Sequence, residues 1–562
     1  VSQRRLWLWV LCAGLSVDIG AGACGVRREL IASQGPIAVP FSFPYVDPAI
    51  PDAPGQFGGG PGDPTGAPRI AYPLDGAMHA LNIGQIAFQW TRGDDANRVF
   101  RIRLDDGHAH YDFYVPCTLA TCLYPMPARG WLAIAYAHPD ATLQATIEGT
   151  NGAGGSVFRS PAIEVRFSPE PVTGGLYYWT ATSTGASMTG GTTYRLPFGA
   201  SQASPFIVPS SPTNPLACGG CHSVSRDGRM ISFSSTSDQG SQVAFLAAAP
   251  TTAPAAPSIA PDTASGTPTG TAARFTALNT DGSRVLVTTF GHIQVFDTAT
   301  GVAIDIGDTD ALLPAGKLVT HPEWSPSGLR VAFTLYSAEI TSGGSTKSVT
   351  DSRPEDGEIV TLELDRTTGR ATTLRRIVVT SPGDGLFHFY PSWSPDEHWL
   401  VMAAAPVGTS AYTATTARLR LASADVDTQT CPGPTCFDLA RASQGTSVSS
   451  TWPKLSPFSQ SNDQLLFVTF SSKIDYGYAL VNTGPTGVHR AQLWMAAIDL
   501  RAVAPGGDPS LPPFWLPFQD ITETNHLPFW TAQVACTADG VSYAHCGADE
   551  VCENGACKVV AP

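Results

Sequence analysis

Charge is what this chain has least of. Only 14 % of its 562 residues are Asp, Glu, Lys or Arg, the balance is a net −14, and no Lys/Arg cluster larger than an adjacent pair lies outside the extreme N-terminus. Phosphate neutralisation requires a basic surface, so nucleic acid is excluded as a partner, and so is adhesion to a membrane through charge. After the first residues no apolar run reaches the roughly 20 positions a spanning helix needs. The short signatures of catalysis are missing too: no Gly-x-Ser-x-Gly elbow, no His-Glu-x-x-His helix and no Gly-x-x-x-x-Gly-Lys loop. The acidic pairs Glu355/Asp356 and Asp308/Asp310 sit in turn-like segments, where solvation accounts for them. The balance favours an electron-transfer or binding protein over an enzyme.

The chain is rich in turns and rings. It has 55 glycines, 47 prolines and 9 % aromatic residues, the usage of an all-β protein. Arg4 and Arg5, an apolar run from Leu6 to Val17 and small residues before Cys24 have the form of a signal peptide, so export is expected. Ala21-Gly22-Ala23-Cys24 is similar to a lipoprotein processing box over 1–24, with Cys24 as the lipid-bearing residue, although Asp18 and Ala21 depart from the pattern. An ordinary cleaved signal is the alternative. The expected location is the periplasm or the outer membrane, reached by a lipid on Cys24.

Twelve cysteines fit an oxidising compartment, because most come in close groups: Cys117/Cys122, Cys218/Cys221, Cys431/Cys436, and Cys536, Cys546, Cys552 and Cys557. Residues 25–67 are Pro/Gly-rich and read as a linker. In 68–168, short alternating runs such as IAFQW, VFRIRL, HYDFYVP and WLAIAYA predict a β-sandwich of the immunoglobulin or fibronectin type III kind, with strands at Trp90 and Trp131 anchoring its core. Residues 531–562 hold four cysteines in 22 residues and predict a small module built on two disulfides, with zinc at His545 as the other option.

From 174 to 530 the chain repeats. HPEWSPSGLRVAFTLYS at 321 and YPSWSPDEHWLVMAAA at 390 share a Pro-x-Trp-Ser-Pro turn followed by an apolar strand. WPKLSPFSQ at 452, FTALNTDG at 275 and CHSVSRDG at 221 are looser copies. Val224, Ala277, Trp324, Trp393 and Leu455 are taken as equivalent, at intervals of 53, 47, 69 and 62 residues, each long enough for a four-stranded blade. This repeat resembles that of the TolB-like β-propellers, which implies a propeller of six blades, with five or seven as alternatives. The sixth would join LYYWTAT and TYRLPFG to QLWMAAIDL and FWLPF, closing the ring by pairing its ends.

Cys218-Gly219-Gly220-Cys221-His222 has the spacing by which c-type haem is attached: two thiols add to the vinyl groups and the adjacent imidazole takes the iron. The other readings are a local disulfide or a redox-active Cys-x-x-Cys. In the repeat, Cys221 is equivalent to His321, Tyr390 and Trp452, which should ring one end of the channel. A second iron ligand is therefore expected from His321, then His388, with His526 and Met495 behind them and Met230 too close along its own strand. Two His ligands favour a low potential, and Met a higher one. The expectation is an envelope propeller carrying one haem c, for electron transfer or redox sensing, that meets a redox partner or envelope protein at the propeller mouth. Its rivals are a non-enzymatic scaffold that binds protein or peptide at the same mouth, with Cys218 and Cys221 as a disulfide, and a haem enzyme of peroxidase type.

Overall fold

The computed structural model describes residues 41–184, 187–200, 202–207, 219–237, 240–247, 275–289, 291–342, 345–348, 353–380, 383–411, 414–445, 448–483, 487–532, 535–536, 544–545, 550–553 and 556–559. For 182–190, 219–221, 233–247, 340–347 and all positions beyond 532, only the backbone is described. Cys24 with the signal and lipid site, Cys218, and the side chains of Cys221 and the last four cysteines lie outside these residues.

The chain is almost wholly β, opening with a sandwich. Its larger sheet runs Tyr45–Val46, His110–Pro116, Val99–Asp105, Thr142–Thr150, Ile163–Phe167 and Ala77–His79, with Val157–Arg159 beside Thr142–Thr150. The smaller runs Arg69–Tyr72, Ala87–Thr91 and Thr121–Pro125. Alternating residues such as Phe100, Ile102 and Leu104 turn inward to meet Phe88 and Trp90, and all five are fully buried. A disulfide joins Cys117 to Cys122.

Two details differ from expectation. The WLAIAYA segment is not a strand but part of a helix, Ala128–Ala137. Its apolar run lacks the alternation that would choose a strand, its alanines favour the helix, and the i, i+3, i+4 set Trp131, Ile134 and Ala135 is buried. Residues 41–67 are not a free linker: Phe43 meets Phe113 edge-on at 5.5 Å, and Ala53 is fully buried.

Six antiparallel sheets of three or four strands follow among the described residues, numbered here as blades in chain order, besides three two-stranded ones. Blade 2 contains Gly219–Val224, Met230–Ser237 and Gly240–Ala247; blade 3 contains Phe275–Leu278, Arg284–Thr289, His292–Asp297 and Ala303–Ile304. Blade 4 is Lys317–Trp324, Arg330–Ser337, Glu358–Leu364 and Ala371–Val378; blade 5 is Leu386–Trp393, Trp399–Pro406, Arg418–Ser423 and Cys436–Asp438, with a disulfide from Cys431 to Cys436. Blade 6 is Ser450–Leu455, Leu465–Ser472, Gln492–Asp499 and Phe514–Trp515.

Blade 1 closes the ring, and differently from expectation. Its outer strands are Gly175–Thr184, Ser187–Pro197 and Ser204–Ile207, and its inner strand is Thr524–Thr531 from the far end of the chain. QLWMAAIDL and FWLPF belong to blade 6 instead. The closing strand carries a sixth copy of the repeat, Leu527-Pro528-Phe529-Trp530-Thr531, which has lost the Ser-Pro-x-Gly turn.

The repeat makes a joint between blades. Trp324 Nε1 donates to the Ala277 carbonyl at 3.0 Å, and Trp393 Nε1 to the Glu323 carbonyl at 3.1 Å, each reaching the blade before it. Where the Trp is a Leu, a serine of the preceding blade accepts from that residue's backbone N–H: Leu278 N to Ser223 Oγ at 3.3 Å and Leu455 N to Ser392 Oγ at 3.2 Å. The residue equivalent to Trp324 is thus Leu278 and not Ala277. Blades 6 and 1 are joined by Thr469 Oγ1 donating to the Pro528 carbonyl at 3.0 Å. The sandwich and propeller share a core: Tyr72 stands edge-on to Tyr476 at 4.8 Å, and its hydroxyl accepts from Trp515 N at 3.0 Å.

Candidate functional site: the two ends of the channel

In blades 4, 5, 6 and 1, the inner strand carries a bulge at a residue followed by proline, where the register against the next strand slips. The bulged residues His321, Tyr390, Trp452 and Leu527 all have left-handed backbones, with φ of 51°, 55°, 55° and 53°. Each such non-glycine residue costs on the order of 1 kcal/mol, and strain of this kind gathers at sites. The four side chains turn into the channel and form a collar with Phe275 of blade 3. Tyr390 and Trp452 stack at 3.6 Å, His321 lies 4.0 Å from Tyr390, and Phe275 stands edge-on to His321 at 4.5 Å. The backbone of blade 2 brings Cys221 to the same level, at its own register slip between Gly220 and Ser223.

Two histidines face the collar's cavity of about 30 Å³, which Phe275, Tyr390, Trp452 and Leu527 also line. His222 is 1 % exposed; its Nε2 lies 3.2 Å from the Tyr177 carbonyl of blade 1, and its Nδ1 makes no hydrogen bond among the described residues, although the Leu527 backbone also acts on the ring. His321 is 4 % exposed, with Nδ1 at 3.1 Å from Thr334 Oγ1 and Nε2 unpartnered. Burial holds both rings neutral, with the Lys454 charge acting in the same direction: His222 is pushed down to about 4 and His321 well below its ordinary value. A carbonyl-bonded imidazole with its other nitrogen free is the form a metal-ligating His takes.

The structure therefore brings His222, His321 and the backbone of Cys221 together, and leaves His388 elsewhere. His388 is fully buried, its Nε2 accepts from Arg420 at 2.8 Å, and Arg420 also pairs with Asp384 at 2.6 Å and Asp438 at 2.7 Å. The bulge at Tyr390 accounts for this: one extra residue shifts the in-out phase, so a position two residues earlier no longer shares the channel. His526 stacks on Trp179 at 6.3 Å, Met495 is fully buried in the core between blades 6 and 1, and Met230 packs against blade 3. No group of three or more His, Cys, Asp or Glu side chains suited to a metal ion occurs among the described residues.

Below the collar the channel is polar. Lys454 of blade 6 pairs with the Glu323 carboxylate of blade 4, Ser392 of blade 5 donates to that carboxylate at 3.4 Å, and the Lys454 ammonium lies 4.1 Å from the centre of the Phe529 ring. Lower still, at the Ser-Pro turns, Arg226 of blade 2 reaches across to blade 5, where its Nη2 donates to the Trp393 carbonyl at 2.8 Å. Sequence reasoning missed these residues because it read the positions flanking the repeat Trp as variable. The signal was there: a Glu, a Lys and an Arg at positions that the other repeats fill with Ser, Ala, Phe, Thr or Pro.

Strand order and channel together define an all-β propeller protein, its ring closed by a strand from the end of the chain and its channel stoppered by an aromatic collar. No protein-family model and no curated protein matches the chain. Among solved structures it is similar to TolB from Acinetobacter baumannii, with 11 % identity over 69 % of this chain and 79 % of that one, at a TM-score of 0.35. A putative TolB from Agrobacterium tumefaciens is 15 % identical over 44 % of this chain and 77 % of its own, at a TM-score of 0.28. The β-propeller domain of the Trilobed protease from Pyrococcus furiosus is 10 % identical over 58 % of this chain and 80 % of its own, also at 0.28. The propeller rests on the strand order above, to which likenesses at this level add nothing.

Proposed function

We propose that this chain is an exported envelope propeller that carries one c-type haem, attached through Cys218 and Cys221 with His222 as an iron ligand, for electron transfer or redox sensing. The observation that carries the reading is the pair of buried, neutral imidazoles on one cavity, each with one nitrogen held by the protein and the other unpartnered, beside the backbone of Cys221. The donor set suits iron, with two thiols at attachment spacing, His222 next to them and His321 as second ligand, but the cavity of about 30 Å³ is not porphyrin-sized, so a haem would have to displace collar side chains. The Tyr177 carbonyl would fix the tautomer of His222, and Thr334 would orient His321. Phe275, Tyr390 and Trp452 supply an apolar surround, which keeps water away and raises the influence of nearby charge such as Lys454. A bound haem would supply one-electron chemistry. The redox partner would meet the propeller at its collar end, in the periplasm or on the outer membrane.

The test is colour. Protein exported in cells equipped for haem maturation should show a Soret band and haem that stays with the chain on a denaturing gel, and both should vanish in Cys221→Ser. A colourless protein, fully folded by circular dichroism, would refute the reading in favour of the scaffold with a Cys218–Cys221 disulfide. If haem is present, carbon monoxide binding by the reduced protein would indicate an open iron position, and an unchanged spectrum in His321→Ala would remove His321 as the second ligand.

A further inference from the structure

The lower end of the channel holds a second site, independent of haem. Six equivalent turn residues ring this mouth: Arg226, Thr280, Pro326, Pro395, Pro457 and Ala532. Five are uncharged, and one is a half-buried arginine. Hydrogen bonds fix the ring, with Thr280 Oγ1 donating to the Pro326 carbonyl at 2.6 Å and Ala532 N to the Arg226 carbonyl at 2.7 Å. Arg226 Nη2 donates to the Trp393 carbonyl at 2.8 Å, and no carboxylate forms an ion pair with this guanidinium among the described residues, although Glu323 and Glu397 lie near enough to act on its charge. The nearby acids are already engaged: Glu397 pairs with Arg330 at 2.9 Å, and Glu323 pairs with Lys454. Arg226, Lys454 and Glu323 line one recess of about 20 Å³ with Ser223 and Thr280, so the recess carries one net positive charge in a chain of net −14.

Burial disfavours the charge of a guanidinium that has no ion-pair partner, and an accepting anion would offset that cost. A planar carboxylate matches its fork, and the neighbouring ammonium adds a second positive charge within the same walls. A recess of this size takes the head of such a ligand and nothing bulkier.

We propose that this mouth is a carboxylate-binding site in which Arg226 is the principal contact, Lys454 the supporting charge, and Glu323 the group that limits affinity. The carboxylate is that of a small organic acid or of a peptide C-terminus.

Calorimetric titration of the full chain with acetate tests it. Binding should saturate, weaken at least tenfold in Arg226→Gln, and tighten at least threefold in Glu323→Gln, because that variant removes the one negative charge lining the recess. Should Arg226→Gln fail to fold, the Glu323→Gln arm decides alone, since a damaged protein does not bind more tightly. Triglycine binding more tightly than acetate, with its amide inactive, assigns a peptide terminus; equal binding assigns a small acid. Chloride acting as well as acetate at equal concentration, or acetate affinity unmoved in Glu323→Gln, would overturn the proposal.

Discussion

Lowering the pH from 8 to 5.5 should strip this protein of stability well before its carboxylates begin to protonate. Four imidazoles, of His79, His222, His321 and His388, are at most 4 % exposed. Burial holds them neutral, His79 and His388 down to about 3, His222 to about 4 and His321 well below its ordinary value. In the unfolded chain each titrates near 6.5. Since the folded pKa is the lower one, the unfolded chain binds the extra protons; stability is full above about pH 7 and is lost as the pH falls. At pH 5.5 each unfolded imidazole is about nine-tenths protonated and costs the fold about 1.4 kcal/mol, or roughly 6 kcal/mol for these four; the partly exposed His526, also pushed down to about 4, adds to the loss in the same direction. His398 works the other way, since its hydrogen bond to Asp425 raises it, but its side chain is 63 % exposed and its contribution is small. Urea unfolding at several pH values, with proton uptake measured by calorimetry in buffers of different ionisation enthalpy, should show between four and five protons taken up on unfolding at pH 5.5, the fifth from His526, which burial pushes down to about 4. Fewer than two protons, or a loss below about 2 kcal/mol, would show that these rings are charged or wet in the folded state.

The blade joints give further expectations. Trp393→Leu removes a fully buried ring that bonds the Glu323 carbonyl and lies 4.5 Å from the Arg330 guanidinium, and should cost about 3 kcal/mol by urea unfolding. Blades 3 and 6 tolerate Leu at this position because Ser223 and Ser392 take over the bond; Ser392→Ala should therefore cost about 1–2 kcal/mol by leaving the Leu455 N–H unpaired, and a change below 0.5 would discount the joint. Replacing Cys431 and Cys436 by serine opens a short loop and should cost about 2 kcal/mol, read as a lower urea midpoint at unchanged slope.

What the sequence could disclose follows the range of the interactions that leave a mark on it. The Trp-Ser-Pro turns are local, so the repeats at Trp324 and Trp393 were legible, as were the alternating strands of the sandwich and the close cysteine pairs. The closing strand was not: Leu527-Pro528-Phe529-Trp530 lacks the turn and pairs with strands that precede it by hundreds of residues. The helix at Trp131 was hidden because a run apolar on every face satisfies both periods. Cys221, His222 and His321 were legible as candidates, through motif and repeat position. His388 was misplaced by a bulge that no residue type announces, and the Arg226, Glu323 and Lys454 set was invisible because its members come from blades 2, 4 and 6 and meet only across the channel.

Ring closure also sets a timetable for synthesis. Thr180 and Asn525, which meet across blade 1 through their side chains, are 345 residues apart in the chain. Until the final strand is made, Gly175–Thr184 stands as an unpaired apolar edge, the kind that recruits other chains. The propeller therefore cannot finish folding blade by blade as it is made, and a chain interrupted anywhere before residue 524 leaves an open edge rather than a smaller ring. Exposure of that edge lasts until Thr524–Thr531 is available to pair with it.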